Sequence, residues 1–84
     1  MEEVTWNKVK KLGTISFRKG SWTLELNLVS WNGYKPKIDL REWSPDGKKA
    51  GKGLTLTHEE AERLYEMLGR VLPEERLGGE DDES

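Results

Sequence analysis

Cysteine is absent from these 84 residues, and histidine occurs once, at His58. Without thiols there is no disulfide framework and no thiolate chemistry. A lone histidine beside Glu59, Glu60 and Glu62, with no second histidine, does not make a metal site, and none is expected. No apolar run approaches the roughly 18–20 residues that span a bilayer. The charged start MEEVTWNKVK does not read as a signal peptide. The cytoplasm, nucleoid included, is the simplest compartment. No nucleophile has a base beside it. Glu25, Asp39 and Glu42 do not assemble an acid/base pair, and no glycine-rich loop leads into a helix to cradle a phosphate. No catalytic residue, cofactor or small-molecule substrate is expected, so the chain does not read as an enzyme.

Aromatic residues are few, but four of them are tryptophan. Charge is plentiful and unevenly placed. Residues 1–56 carry a net +5 and residues 57–84 a net −7, which together return the overall −2. A basic first part and an acidic second part point to a polyanionic partner more clearly than the overall charge does. A chain of this length is one domain with a modest core, for which oligomerisation is a common supplement.

The most informative stretch runs from Trp22 to Leu56. Trp22, Leu24, Leu26 and Leu28 alternate with Thr23, Glu25, Asn27, Val29 and Trp31, which is the period of a strand with one buried face. Ile38 and Leu40 alternate in the same way with Lys37, Asp39, Arg41 and Trp43. Asn32-Gly33 between them is a hairpin signal, since both residues tolerate positive φ. Pairing Leu28 with Ile38 and Leu26 with Leu40 fixes the register. It also sets Glu25 opposite Arg41, where they can pair, and Thr23 opposite Trp43. One face is then apolar, with Trp22 in its core. The other carries Trp31, Lys37, Arg41 and Trp43. Aromatic rings interleaved with Lys and Arg suit stacked bases and a phosphate backbone.

The remaining elements follow from local signals. Residues 1–7 read as a loosely held start in which Trp6 has no assigned place. A first strand over 8–18 has Ile15 and Phe17 as core positions and a bulge or bend at Gly13. The second strand covers about 22–31 and the third about 36–43. Ser44-Pro45-Asp46-Gly47 has a type I turn signature, and Lys48–Gly53 reads as a flexible basic loop. Leu54–Leu56 is a short fourth strand. Thr57 and Glu60 form a capping box for a helix whose stripe is Ala61, Leu64, Tyr65, Leu68, Val71 and Leu72, with Met67 beside it. Pro73 ends that helix, and 73–84 reads as an acidic, disordered tail. The fold class is α+β: four antiparallel strands, then one helix, within a domain spanning 8–72.

Three blocks carry a resemblance: Glu25-Leu-Asn-Leu-Val-Ser-Trp-Asn-Gly33, Lys37-Ile-Asp-Leu-Arg-Glu-Trp-Ser-Pro-Asp46 and Gly51-Lys-Gly-Leu-Thr-Leu-Thr57. In this order and spacing they resemble the Positive Cofactor Four family of transcriptional coactivators, most of all its small bacterial YdbC-like members, over about residues 12–72. The resemblance implies a strongly curved sheet and a homodimer joined through the helices, with Leu64, Met67, Leu68 and Val71 at the interface. It implies single-stranded DNA as partner, bound with little sequence preference in bacterial transcription, replication or repair. The corresponding contact residues are Trp31, Trp43 and Arg41, with Lys52 in the Gly-Lys-Gly segment. Lys35, Lys37, Lys48 and Lys49 extend them as an electrostatic track, and Lys8, Lys10, Lys11, Arg18 and Lys19 are secondary candidates. Single-stranded RNA, or a protein partner on the same face, is the alternative. The acidic segment after Pro73 lies outside the family pattern.

Overall fold

A computed structural model describes residues 4–74. Four strands, β1 (Trp6–Phe17), β2 (Thr23–Trp31), β3 (Lys37–Trp43) and β4 (Ala50–Leu56), precede one helix, α1 (His58–Glu74). The strands form one antiparallel sheet in the order β1-β2-β3-β4. The β2–β3 register is the one alternation dictates: Leu28 faces Ile38, Leu26 faces Leu40, Glu25 faces Arg41 and Thr23 faces Trp43. Asn32 (φ 52°) and Gly33 (φ 78°) take the positive φ that the hairpin needs, and the Tyr34 N–H closes the turn on the Trp31 carbonyl at 2.9 Å. The Ser44–Gly47 turn closes as expected, with the Gly47 N–H on the Ser44 carbonyl at 2.8 Å. The Ser44 hydroxyl donates to Asp46 Oδ1 at 2.7 Å and the Lys48 N–H to the same oxygen at 2.9 Å. The capping box forms on both sides: the Glu60 N–H donates to Thr57 Oγ1 at 3.0 Å, and the Thr57 N–H to Glu60 Oε1 at 2.9 Å.

Several elements differ from expectation. β1 begins at Trp6 rather than Lys8, because Trp6 lies opposite Trp31 and prolongs the pairing. Its register slips three times, between Lys8 and Lys10, Lys11 and Gly13, and Thr14 and Ser16. Each slip bends the strand and changes which residues face inward. Ile15 and Phe17 are therefore exposed, at 57% and 80%, rather than core. The Gly-rich segment from Ala50 is strand, not flexible loop, and makes β4 more than twice the anticipated length. Pro73 lies inside the helix, which runs one residue further, to Glu74. The acidic tail beyond that residue, and the first three residues, lie outside the described part.

The larger correction concerns which face is buried. Along β2, Glu25, Asn27 and Val29 are buried, while Leu24, Leu26 and Leu28 are only half-buried. On β3 Asp39 and Trp43 are completely buried, and Ile38 and Leu40 are half-buried. The bent β1 carries Trp6 and Lys8 onto the odd-numbered face, hereafter the inner face, and closes part of it. The even-numbered outer face keeps its leucines partly open. The helix packs lightly against β3 and β4 and leaves Leu64, Met67, Leu68 and Val71 between 40% and 47% exposed.

Candidate nucleic-acid interface

The inner face is organised by Asp39, a residue the sequence reading set aside. Its carboxylate is fully buried and collects donors from three elements. Arg41 Nε lies 3.1 Å from Oδ1 and Nη2 3.0 Å from Oδ2. Thr55 Oγ1 of β4 donates to Oδ2 at 3.0 Å. The Trp31 indole N–H, at the end of β2, donates to the same oxygen at 3.3 Å. Burying a carboxylate is costly unless its lone pairs are met by charged and neutral donors; here they are. The geometry follows from pleating: Asp39 and Arg41 are two residues apart on one face, and register brings Thr55 opposite Asp39.

Held this way, the Arg41 guanidinium lies over the Trp31 ring, 4.8 Å from its centroid. Arg41 Nη1 reaches across the sheet to the Gly51 carbonyl at 3.0 Å. A Cβ at Gly53 would collide with the backbone of Leu40 and Arg41, so glycine there allows β4 to approach the arginine closely. The result is a stacked pair of indole and guanidinium, both held by Asp39, with the guanidinium also held by the Gly51 carbonyl. Trp31 keeps part of its surface exposed.

Glu25 faces Arg41 across the strands but does not pair with it. Lys8 of β1 takes that place, with Nζ 3.4 Å from Glu25 Oε1. The Thr23 hydroxyl donates to Oε2 at 2.7 Å and Asn27 Nδ2 to Oε1 at 3.2 Å. Burial pushes the Glu25 pKa up, but these hydrogen bonds and the charges of Lys8 and Lys11 outweigh it and hold it below the ordinary value. Arg41 is thereby left to Asp39 and Trp31.

Trp43 is not a stacking platform in this chain. Its ring is fully buried, with Trp6 edge-on at 4.8 Å and 65° and Lys8 Nζ 4.0 Å from the centroid. The sequence put Trp43 on the right face and signalled one bend in β1, at Gly13, where a slip is found; the slips at Lys8/Lys10 and Thr14/Ser16 are not legible in a period-two pattern, and neither is the closure of Trp6 over Trp43. Trp6 thus finds its place as the lid on Trp43.

Lys35, Lys37, Lys48, Lys49 and Lys52 lie in separate places around the sheet, all exposed. Lys37 opens β3 on the inner face beside Trp31, and Lys35 lies just before it; both are exposed. Lys48 and Lys49 are exposed at the far end of β3, about 20 Å away at the usual rise of a strand. Lys52 is exposed on β4. At one end of the face the Trp31–Arg41 pair has Lys37 on the same face of β3, with Lys35 in the segment before it. Among the described residues no group of His, Cys, Asp and Glu is arranged to hold a metal, and no helix is long and apolar enough to cross a membrane.

A protein of Treponema pallidum (strain Nichols) whose function is uncharacterized is 42% identical over 70 residues, which cover 83% of this chain and 82% of that one. The family profile named Transcriptional Coactivator p15 (PC4) matches residues 17–67, a span that holds β2, β3 and β4, the Trp31–Asp39–Arg41 unit and most of the helix. The order of strands and helix, the three motif blocks and this match agree, and the chain belongs to the Transcriptional Coactivator p15 (PC4) family.

Proposed function

We propose that this protein binds single-stranded DNA with little sequence preference, as a homodimer, and that it has no catalytic activity. Family membership supports a nucleic-acid-binding role. The observation that carries the finer reading is the Trp31–Arg41 stack anchored on buried Asp39. An indole with a guanidinium stacked over it offers a base a surface to stack on, at about 1–3 kcal/mol per base. The remaining N–H groups of the arginine, with Lys37 and Lys35 beside it, meet the phosphates. Paired bases cannot reach such a platform, so a single strand is preferred to a duplex. The dimer forms through the exposed helix stripe, where Leu64, Met67, Leu68 and Val71 leave a contiguous apolar surface on a single chain. Bacterial transcription, replication or repair in the cytoplasm is the setting this role fits.

The test is fluorescence anisotropy of a labelled oligo-dT of about 20 nucleotides, at low and moderate salt, against a duplex of equal length. Binding that favours the single strand and weakens with salt, with a slope near −0.7 per phosphate met, is expected. Equal affinity for duplex, or none for either, from folded protein would remove the reading. An RNA competitor of the same sequence measures the preference for DNA.

A further inference from the structure

The outer face carries a second cluster of an aromatic ring with cations. Trp22 stands where β2 begins. Around it an open pocket of about 510 Å³ is lined by Arg18, Lys19, Glu42, Gly51 and Lys52. Its three cations outnumber its one carboxylate, and Glu42 is engaged by Arg18, whose Nε lies 3.6 Å from Oε2. The pocket is thus net positive and open, and one wall is an indole that is only half-buried. An apolar core position, the place alternation assigns to Trp22, would not be ringed by cations.

Gly51 connects this pocket to the platform on the other side. Its carbonyl accepts from Arg41 Nη1 on the inner face. On the outer face a Cβ at Gly51 would lie 2.9 Å from the Trp22 ring and 3.3 Å from Glu42. The edge strand β4 is therefore narrow at Gly51–Gly53, with Lys52 the one side chain between two glycines. The Arg41 side of the edge and the Trp22 side are separated by a single strand of backbone.

We propose that Trp22, with Arg18, Lys19 and Lys52, is a second nucleotide-binding subsite, and that a bound single strand passes from the Trp31–Arg41 platform over the glycine edge of β4 to reach it. The base stacks on the Trp22 indole, and the cations meet the flanking phosphates. The proposal rests on the reading of the Trp31 platform as a single-strand site and extends it to the opposite face. It predicts that strand length matters: an oligonucleotide long enough to round the edge engages both subsites, and a short one engages the platform alone.

The experiment compares oligo-dT of about five nucleotides, near the lower end of known site sizes, with oligo-dT of about twenty. The full chain and a double variant, Arg18→Gln with Lys19→Gln, are titrated with each over a range of salt. These two side chains are exposed, so the fold is retained, which circular dichroism verifies. The variant is expected to bind the long strand about tenfold more weakly, with a salt slope shallower by about 1.4 for the two phosphates lost, and to bind the short strand as the full chain does. A second variant, Trp22→Phe, keeps an aromatic wall but removes the reporter. It is expected to lose the part of the tryptophan quenching that only the long strand produces. Unchanged affinity and slope for the long strand in the double variant overturn the proposal, as does an equal loss for both strands. Failure of the full chain to bind either strand removes the platform reading, and this one with it; normal binding of both strands by the full chain and the variant alike removes only this one.

Discussion

The two faces of the sheet invert the usual relation between hydropathy and burial. The inner face carries Glu25, Asn27, Asp39 and Trp43, all buried. The outer face carries Leu24, Leu26, Leu28, Ile38 and Leu40, all only half-buried. Hydropathy alone would exchange them. The difference is made by β1, whose register slips bend it over the inner face, and by the acceptors and donors that make polar burial tolerable there. Asp39 takes donors from Arg41, Trp31 and Thr55, and Glu25 from Lys8, Thr23 and Asn27. A buried polar row is stable when its members satisfy each other. An apolar row left half-open on a small domain is a surface for another chain or ligand.

The contrast is sharpest at Trp43. Trp43→Ala removes the largest fully buried side chain on the inner face and should cost about 3–5 kcal/mol. Leu26→Ala on the outer face should cost nearer 1–2 kcal/mol, since only part of the side chain leaves water. Urea denaturation at low protein concentration measures both. A larger loss at Leu26 would reverse the assignment of the faces. Trp43→Phe should be far milder than Trp43→Ala, because the Trp43 indole N–H has no hydrogen-bond partner among the described residues.

The helix stripe tests what lies beyond the single chain. Leu68→Glu sets a charge into an apolar contact, where an unpaired ion costs about 3 kcal/mol or more. The dimer dissociation constant should rise by about a hundredfold, while the helix signal of the monomer persists. Sedimentation over a range of concentrations decides. A mass that is monomeric and concentration-independent in the unaltered protein would remove the dimer.

Trp31→Ala separates binding from folding. Affinity for single-stranded oligo-dT should fall about 5- to 150-fold, the equivalent of 1–3 kcal/mol, with little change in the denaturation midpoint. Asp39→Asn should weaken binding as well, by freeing the guanidinium from the ring, although both contact residues remain. If Trp43→Phe weakened binding more than Trp31→Ala, the site would lie at the other end of the face.

The smallest effect is expected from acid. The folded-state pKa of Glu25 lies below its ordinary 4.5, so its ionised form favours the folded state. That contribution is complete above the ordinary value and fades as pH falls through the folded one. Glu25→Gln should therefore flatten the loss of stability below about pH 4.5, read by thermal melts between neutral and acidic pH.

Much of this was legible in the residues. Alternation from Thr23 to Trp43 specified both strands, their register and the shared face of Trp31, Asp39 and Arg41, because side-chain direction in a strand follows parity. Asn32-Gly33, Ser44–Gly47 and the Thr57–Glu60 box announced their turns and cap through local chemistry. Phe17 and Ile15 were misplaced because a bulge changes parity without a fixed sequence signature. The Glu25–Arg41 pair that register allows does not form, because Lys8 engages Glu25 and Asp39 engages Arg41.

By itself, then, the chain determined what local geometry can determine: four strands and a helix, the order of pairing, the turns, and the family to which the motif blocks belong. The tertiary structure decided what depends on distant segments meeting. It bent β1 so that Trp6 and Lys8 cover Trp43, withdrawing that ring from any ligand. It joined Asp39 to groups from three strands, leaving Trp31 and Arg41 as the stacked pair at the surface. It also left the leucine face open. The physical reason is that parity is a property of neighbours in sequence, whereas burial is a property of what folds back over them.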